Sequence, residues 1–177
     1  MAEDRSEAEP KTAPSPLAAT VRGVLAGIAG TAAMTGAQRL ATELASDGED
    51  TQSEAGDRDP WAEAPAPARV LKRIGEGLFD LSPSADLIPT LTQVAHWGYG
   101  TGWGVVYTIA TARRRRSTLR RGMAFGTLVW AASYALLVPM RVYSPPWEYE
   151  PQELELDLFY HLAYGAGVGA ALRILDR

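Results

Sequence analysis

At 177 residues, 46% hydrophobic and with a formal charge of −4, the chain is one domain's worth of sequence. The charge is too small and too scattered to point to nucleic acid, and the lack of cysteine excludes disulfides, thiolate metal sites and iron–sulfur clusters. The mean hydropathy of −0.11 hides a segregation: charges gather in the first 16 residues and in 46–73, 113–121 and 148–157, with long uncharged stretches between them.

Residues 1–16 are charged and proline-bearing and are expected to form a disordered acidic tail, followed by one membrane domain over 17–177. The first apolar stretch is uncharged from Gly23 to Ala37, and it makes a span of about 19–44 if Arg22 and Arg39 snorkel to the two surfaces. An outer loop over 45–90 follows, in which Pro60, Pro65 and Pro67 exclude a helix before Ala68. Val70, Leu71, Ile74 and Leu78 then share one helical face opposite Lys72, Arg73 and Glu76, which predicts an amphipathic helix at about 68–81. From Leu87 to Ala112 there are 26 residues without Asp, Glu, Lys or Arg, and from Gly122 to Met140 there are 19 more. A soluble bundle would place charges on an outer face of each helix, so these two runs carry the membrane argument. They predict spans at about 91–112 and 119–142. A final span at about 156–175 surrounds the apolar stretch from Leu158 to Leu172. The expected fold is all-α, a four-helix transmembrane bundle.

Orientation follows from the short loop holding Arg113 to Arg116, Arg120 and Arg121, which the positive-inside rule keeps cytoplasmic. Both termini are then cytoplasmic, and the acidic stretch from Glu148 to Asp157 is outside.

Three landmarks recur in the same order. Arg22-Gly23-x-x-x-Gly27 matches Arg121-Gly122-x-x-x-Gly126, and Pro60-Trp61-x-x-x-Pro65 matches Pro146-Trp147-x-x-x-Pro151. His96-x-x-Tyr99-Gly100-x-Gly102-x-Gly104 matches His161-x-x-Tyr164-Gly165-x-Gly167-x-Gly169. The bundle is therefore expected to consist of two repeated helical hairpins, the first enlarged by insertions in its outer loop.

Glycines four residues apart let helix backbones approach in lipid, and packing is the role expected of Gly98, Gly100, Gly102, Gly104, Gly122, Gly126, Gly165 and Gly169. Val129 is expected to face lipid, and Trp97, Trp103 and Trp147 to anchor at headgroup level. His96 and His161, with Tyr99, Tyr164 and Asp157, form a candidate polar site near the outer surface, in which the two histidines approach each other. Interhelical hydrogen bonding or anchoring at headgroup level explains them more simply than a proton path, two axial haem ligands or a metal site would. No catalytic motif and no metal-ligand pattern accompanies them, and no cofactor is expected.

The order of elements from about residue 90 is a His96-Trp97-initiated glycine-rich helix, a basic loop, an aromatic helix ending at Pro145-Pro146-Trp147, and a last helix with His161. This order resembles the YagU-like family of small bacterial inner-membrane proteins. The resemblance implies a bacterial cytoplasmic membrane location and no defined reaction. The leading expectation is a non-enzymatic membrane protein, structural or stress-related, with the bilayer and further copies of itself as partners. A small transporter or proton channel using His96, His161 and Asp157 is the second, and a bis-histidine haem protein the third.

Overall fold

The computed structural model describes residues 15–46, 59–112 and 119–176, so the expected tail, the acidic centre of the outer loop and Arg113 to Arg116 lie outside the described residues. Those residues are helical, with no strand among them: α1 (Pro16–Ser46), α2 (Ala66–Phe79), α3 (Ile88–Thr111), α4 (Leu119–Leu137) and α5 (Pro151–Leu175).

Several boundaries move for identifiable reasons. Helix α2 begins at Ala66 because Pro67 occupies its first turn, where a missing N–H costs nothing. Helix α4 stops at Leu137, short of the expected 142, because Pro139 follows; the chain then turns through Arg141, which sits in the left-handed region at φ 53°. Helix α5 starts at Pro151, inside the stretch expected to be loop. Glu150 and Glu153 form a reciprocal capping box there, and the acids stabilise the helix start. Of the five helices, α1 (over Pro16–Ala45) and α5 are long and apolar enough to cross a membrane. The two uncharged runs expected to be the strongest spans are not: glycine, threonine and ring side chains dilute the apolarity of α3, and Arg120 and Arg121 lie within α4.

Helix α1 packs on α3 and α5, α5 packs on α4, and α2 lies against α3. Helices of one repeat meet along a seam of glycines. In the first, a side chain on Gly27 would come within 2.7 Å of the Thr101 Cα, and Gly104 abuts Gly23 and Gly27. In the second, Gly122 faces Gly165 and Gly169 while Gly126 faces His161 and Gly165. The matching glycine pairs Gly23 with Gly104 and Gly122 with Gly169 meet in both. The Pro-Trp landmarks diverge: Pro65 leads into α2, whereas Pro151 opens α5 directly.

Two packing expectations are corrected. Gly98 and Gly102 have open space where a side chain would be, while Gly23, Gly27, Gly30 and Gly167 are tightly enclosed. Val129 is 3% exposed, in the core with Phe125, Tyr107, Tyr164, Val168 and Leu172. Trp103 is no headgroup anchor either, since it stacks edge-on between Tyr99 and Phe125.

Candidate functional site

Antiparallel packing brings the C-terminal part of α1, the start of α3, the end of α4 and the start of α5 to one end of the bundle. Polar side chains of these four helices gather there. On α5, the His161 ring is 7% exposed and its Nδ1 lies 2.8 Å from the Asp157 carbonyl and 3.4 Å from Asp157 Oδ1. A carbonyl oxygen only accepts, so the proton sits on Nδ1. Asp157 Oδ2 accepts from Tyr134 of α4 at 3.1 Å. On α3, His96 Nε2 shares a 3.2 Å hydrogen bond with Thr35 Oγ1 of α1.

These two arrangements are repeat partners. In the register that superposes Gly23 on Gly122 and His96 on His161, Thr35 corresponds to Tyr134 and Thr92 to Asp157. The first copy joins its helices through one short contact, Thr35 to His96. The second inserts a carboxylate between a longer phenol and the imidazole.

Two further bonds tie the copies together. The Tyr164 hydroxyl donates to the Gly100 carbonyl at 2.6 Å, from α5 to α3. Ser133 Oγ donates to its own helix at the Val129 carbonyl (2.9 Å), so in its 3.2 Å contact with the Tyr99 hydroxyl it is the acceptor. The expected site residues are each hydrogen-bonded at this end, in separate groups: His96 with Thr35, Tyr99 with Ser133, Tyr164 with Gly100, and Asp157 with Tyr134 and His161. Gln93, one turn from His96, accepts instead from Trp97 Nε1 at 3.1 Å.

The members the sequence reading missed are Thr35, Ser133, Tyr134, Tyr143 and Arg69. The repeat register could have found the first and third, since it places both opposite a histidine. Ser133 lies on α4 itself, whereas Tyr143 arrives through the turn after α4 and Arg69 through α2. Burial pushes the Tyr143 phenol up to about 12; Asp157, Tyr149 and Tyr99 reinforce the rise and Arg69 opposes it. The Tyr134 ring stacks on Tyr143 and Tyr149 at 5.2 and 5.9 Å.

Every hydrogen bond that joins Thr35 to His96, Tyr134 to Asp157, Tyr99 to Ser133 or Tyr164 to Gly100 connects two different helices, so the arrangement clamps this end of the bundle. Towards the other end, the core passes to Phe125, Val129, Val168 and Leu172 between the glycine seams. Arg22 pairs with Asp176 there at 3.3 Å. Among the described residues no group of three or more His, Asp or Glu is placed to hold a metal ion. No family model, curated protein or solved structure matches the chain.

Proposed function

We propose that this is a small integral membrane protein that crosses the bilayer four times, is structural rather than enzymatic, and uses its polar end as an interhelical clamp. The observation that carries the reading is where the apolar side chains point. Val21, Leu25 and Ile28 on α1, Val106 and Ile109 on α3, Leu128 on α4 and Phe159 on α5 are exposed between ends that bear the charges. Water would penalise that surface, whereas hydrocarbon does not. The resemblance to YagU-like proteins fits a bacterial inner membrane, and the positive-inside rule puts Arg120 and Arg121 in the cytoplasm with both termini. The face left open by Gly98 and Gly102 suits self-association of the chain.

The test is extraction. The protein should remain in membranes through carbonate and high-salt washing, and recovery without detergent would overturn the proposal. Reporters after residues 116 and 177 should read cytoplasmic and one near residue 56 external.

A second reading has an observation of its own: Tyr134, Asp157 and His161 form a chain of exchangeable protons beside His96. Proton flux through liposomes that fell in Asp157→Asn while the fold persisted would favour a transport role.

A further inference from the structure

Helix α2 is amphipathic and lies across the polar end, and its basic side chains differ in what they meet. Lys72 is paired with Glu76 and sits 5.5 Å over the Trp61 ring. Arg73, one residue on, donates to the Arg141 carbonyl at 3.3 Å, and Arg69, one turn earlier, interacts with Tyr143 of the same turn. Among the described residues neither arginine lies within ion-pair distance of a carboxylate. The Nε of Arg69 is buried with no hydrogen-bond partner, which is uncommon for a buried polar atom. The nearby acids do not supply one: Glu150 and Glu153 are engaged with the backbone at the start of α5, and Asp157 with Tyr134 and His161. Arg141 adds a third guanidinium to the turn. An otherwise acidic end of the bundle thus holds a local surplus of positive charge.

The same turn walls an open apolar groove of about 340 Å³ lined by Val138, Pro139, Pro146 and Trp147, and Trp147 is 82% exposed. Leu78, Phe79 and Leu81, at the end of α2, are exposed as well. Guanidinium donors beside apolar and indole surface match a phosphate diester attached to acyl chains.

We propose that Arg69 and Arg73, with Arg141, hold the phosphate of an anionic phospholipid headgroup, with a chain of that lipid in the groove beside Trp147. The inference rests on the membrane reading and deepens it by naming a ligand.

The test uses the full chain in nanodiscs of phosphatidylglycerol or phosphatidylcholine, followed by detergent exchange and measurement of the lipid retained by native mass spectrometry. Failure of the chain to enter nanodiscs would count against the membrane reading. Once it is incorporated, wild type should retain phosphatidylglycerol preferentially, and R69Q/R73Q should lose about fivefold of that preference for each guanidinium removed. K72Q should behave as wild type. R69K/R73K restores charge without the planar fork and should recover part of the preference, which separates binding from a misfolded α2. Equal retention of the two lipids by wild type, or an unchanged preference in R69Q/R73Q, would overturn the proposal. So would displacement of phosphatidylglycerol by millimolar inorganic phosphate, which would assign the site to a free anion.

Discussion

Where the two hairpins meet, α1 lies against α5 with Gly30 and Gly167 in backbone contact, whereas the repeat-related pair, α4 and α3, meets through Phe125, Trp103 and Tyr107. The register makes these faces equivalent, so the difference comes from substitutions at matching positions. Ala26 corresponds to Phe125, and Gly30 corresponds to Val129. Two large side chains on α4 replace two small ones on α1 and hold α3 away, which leaves Gly102 open where its counterpart Gly167 is enclosed. The two matched helix pairs thus differ by bulk at two positions, which gives the bundle one tight face and one ring-filled face.

The largest test of that comparison is Phe125→Ala. Phe125 touches Trp103, Tyr107 and Tyr164 and is what fills the wide face, so its removal should cost about 3 to 5 kcal/mol, read as an earlier melt in detergent. Retention of wild-type stability would mean that α3 and α4 can close on each other. The seams inside each repeat come next: Gly165→Leu and Gly100→Leu should each cost about 1 to 3 kcal/mol or more, because added atoms meet Gly122 and Gly126 in one case and Thr31 in the other. Leucine is already tolerated at exposed position 128, so Leu128→Ala is the control that should change little. Tolerance at Gly165 or Gly100 equal to that control would contradict the packing. A smaller effect is expected for Tyr164→Phe, which leaves a buried carbonyl short of one donor and should lose about 0.5 to 1.5 kcal/mol. The smallest, of opposite sign, is Gly102→Ala: with space for the methyl group it should be neutral or gain up to about 1 kcal/mol of helix stability. In membranes the same change should weaken cross-linking between copies if that face mediates self-association.

Much of this was legible in the sequence because repetition is a signal that single residues lack. The paired motifs pointed to two helix pairs, to close contacts at Gly100 and Gly165, and to His96 and His161 lying towards the same end. What the pattern concealed was asymmetry between the copies. Val129 lies in an uncharged run in which every position looks alike, so nothing local marks its face as inward; its neighbours Phe125 and Tyr134 do so only once α5 is in place. Spacing likewise treated all glycines alike, although α1 and α5 enclose Gly167 while Gly98 and Gly102 face outward. Arg69 and Tyr143 entered the site through tertiary folding of α2 and of the turn at Arg141, and neither carries a motif.

The unequal lengths of the helices have a mechanical consequence. At a rise of 1.5 Å per residue, the 19 residues of α4 span roughly 28 Å and the 31 of α1 roughly 46 Å. A hydrocarbon layer matched to α4 is too thin for α1 unless α1 tilts or protrudes. Glycine contacts with α3 and α5 on two sides restrict its tilt, so the excess length emerges at the polar end as roughly two to three turns carrying Arg39, Thr42 and Glu43. On the proposed membrane reading, helix α1 is a rigid post as well as a span. A protein or antibody that grips its tip would transmit force to the glycine seams without touching the clamp, and the tip is the natural place to attach a probe of how the bundle is oriented.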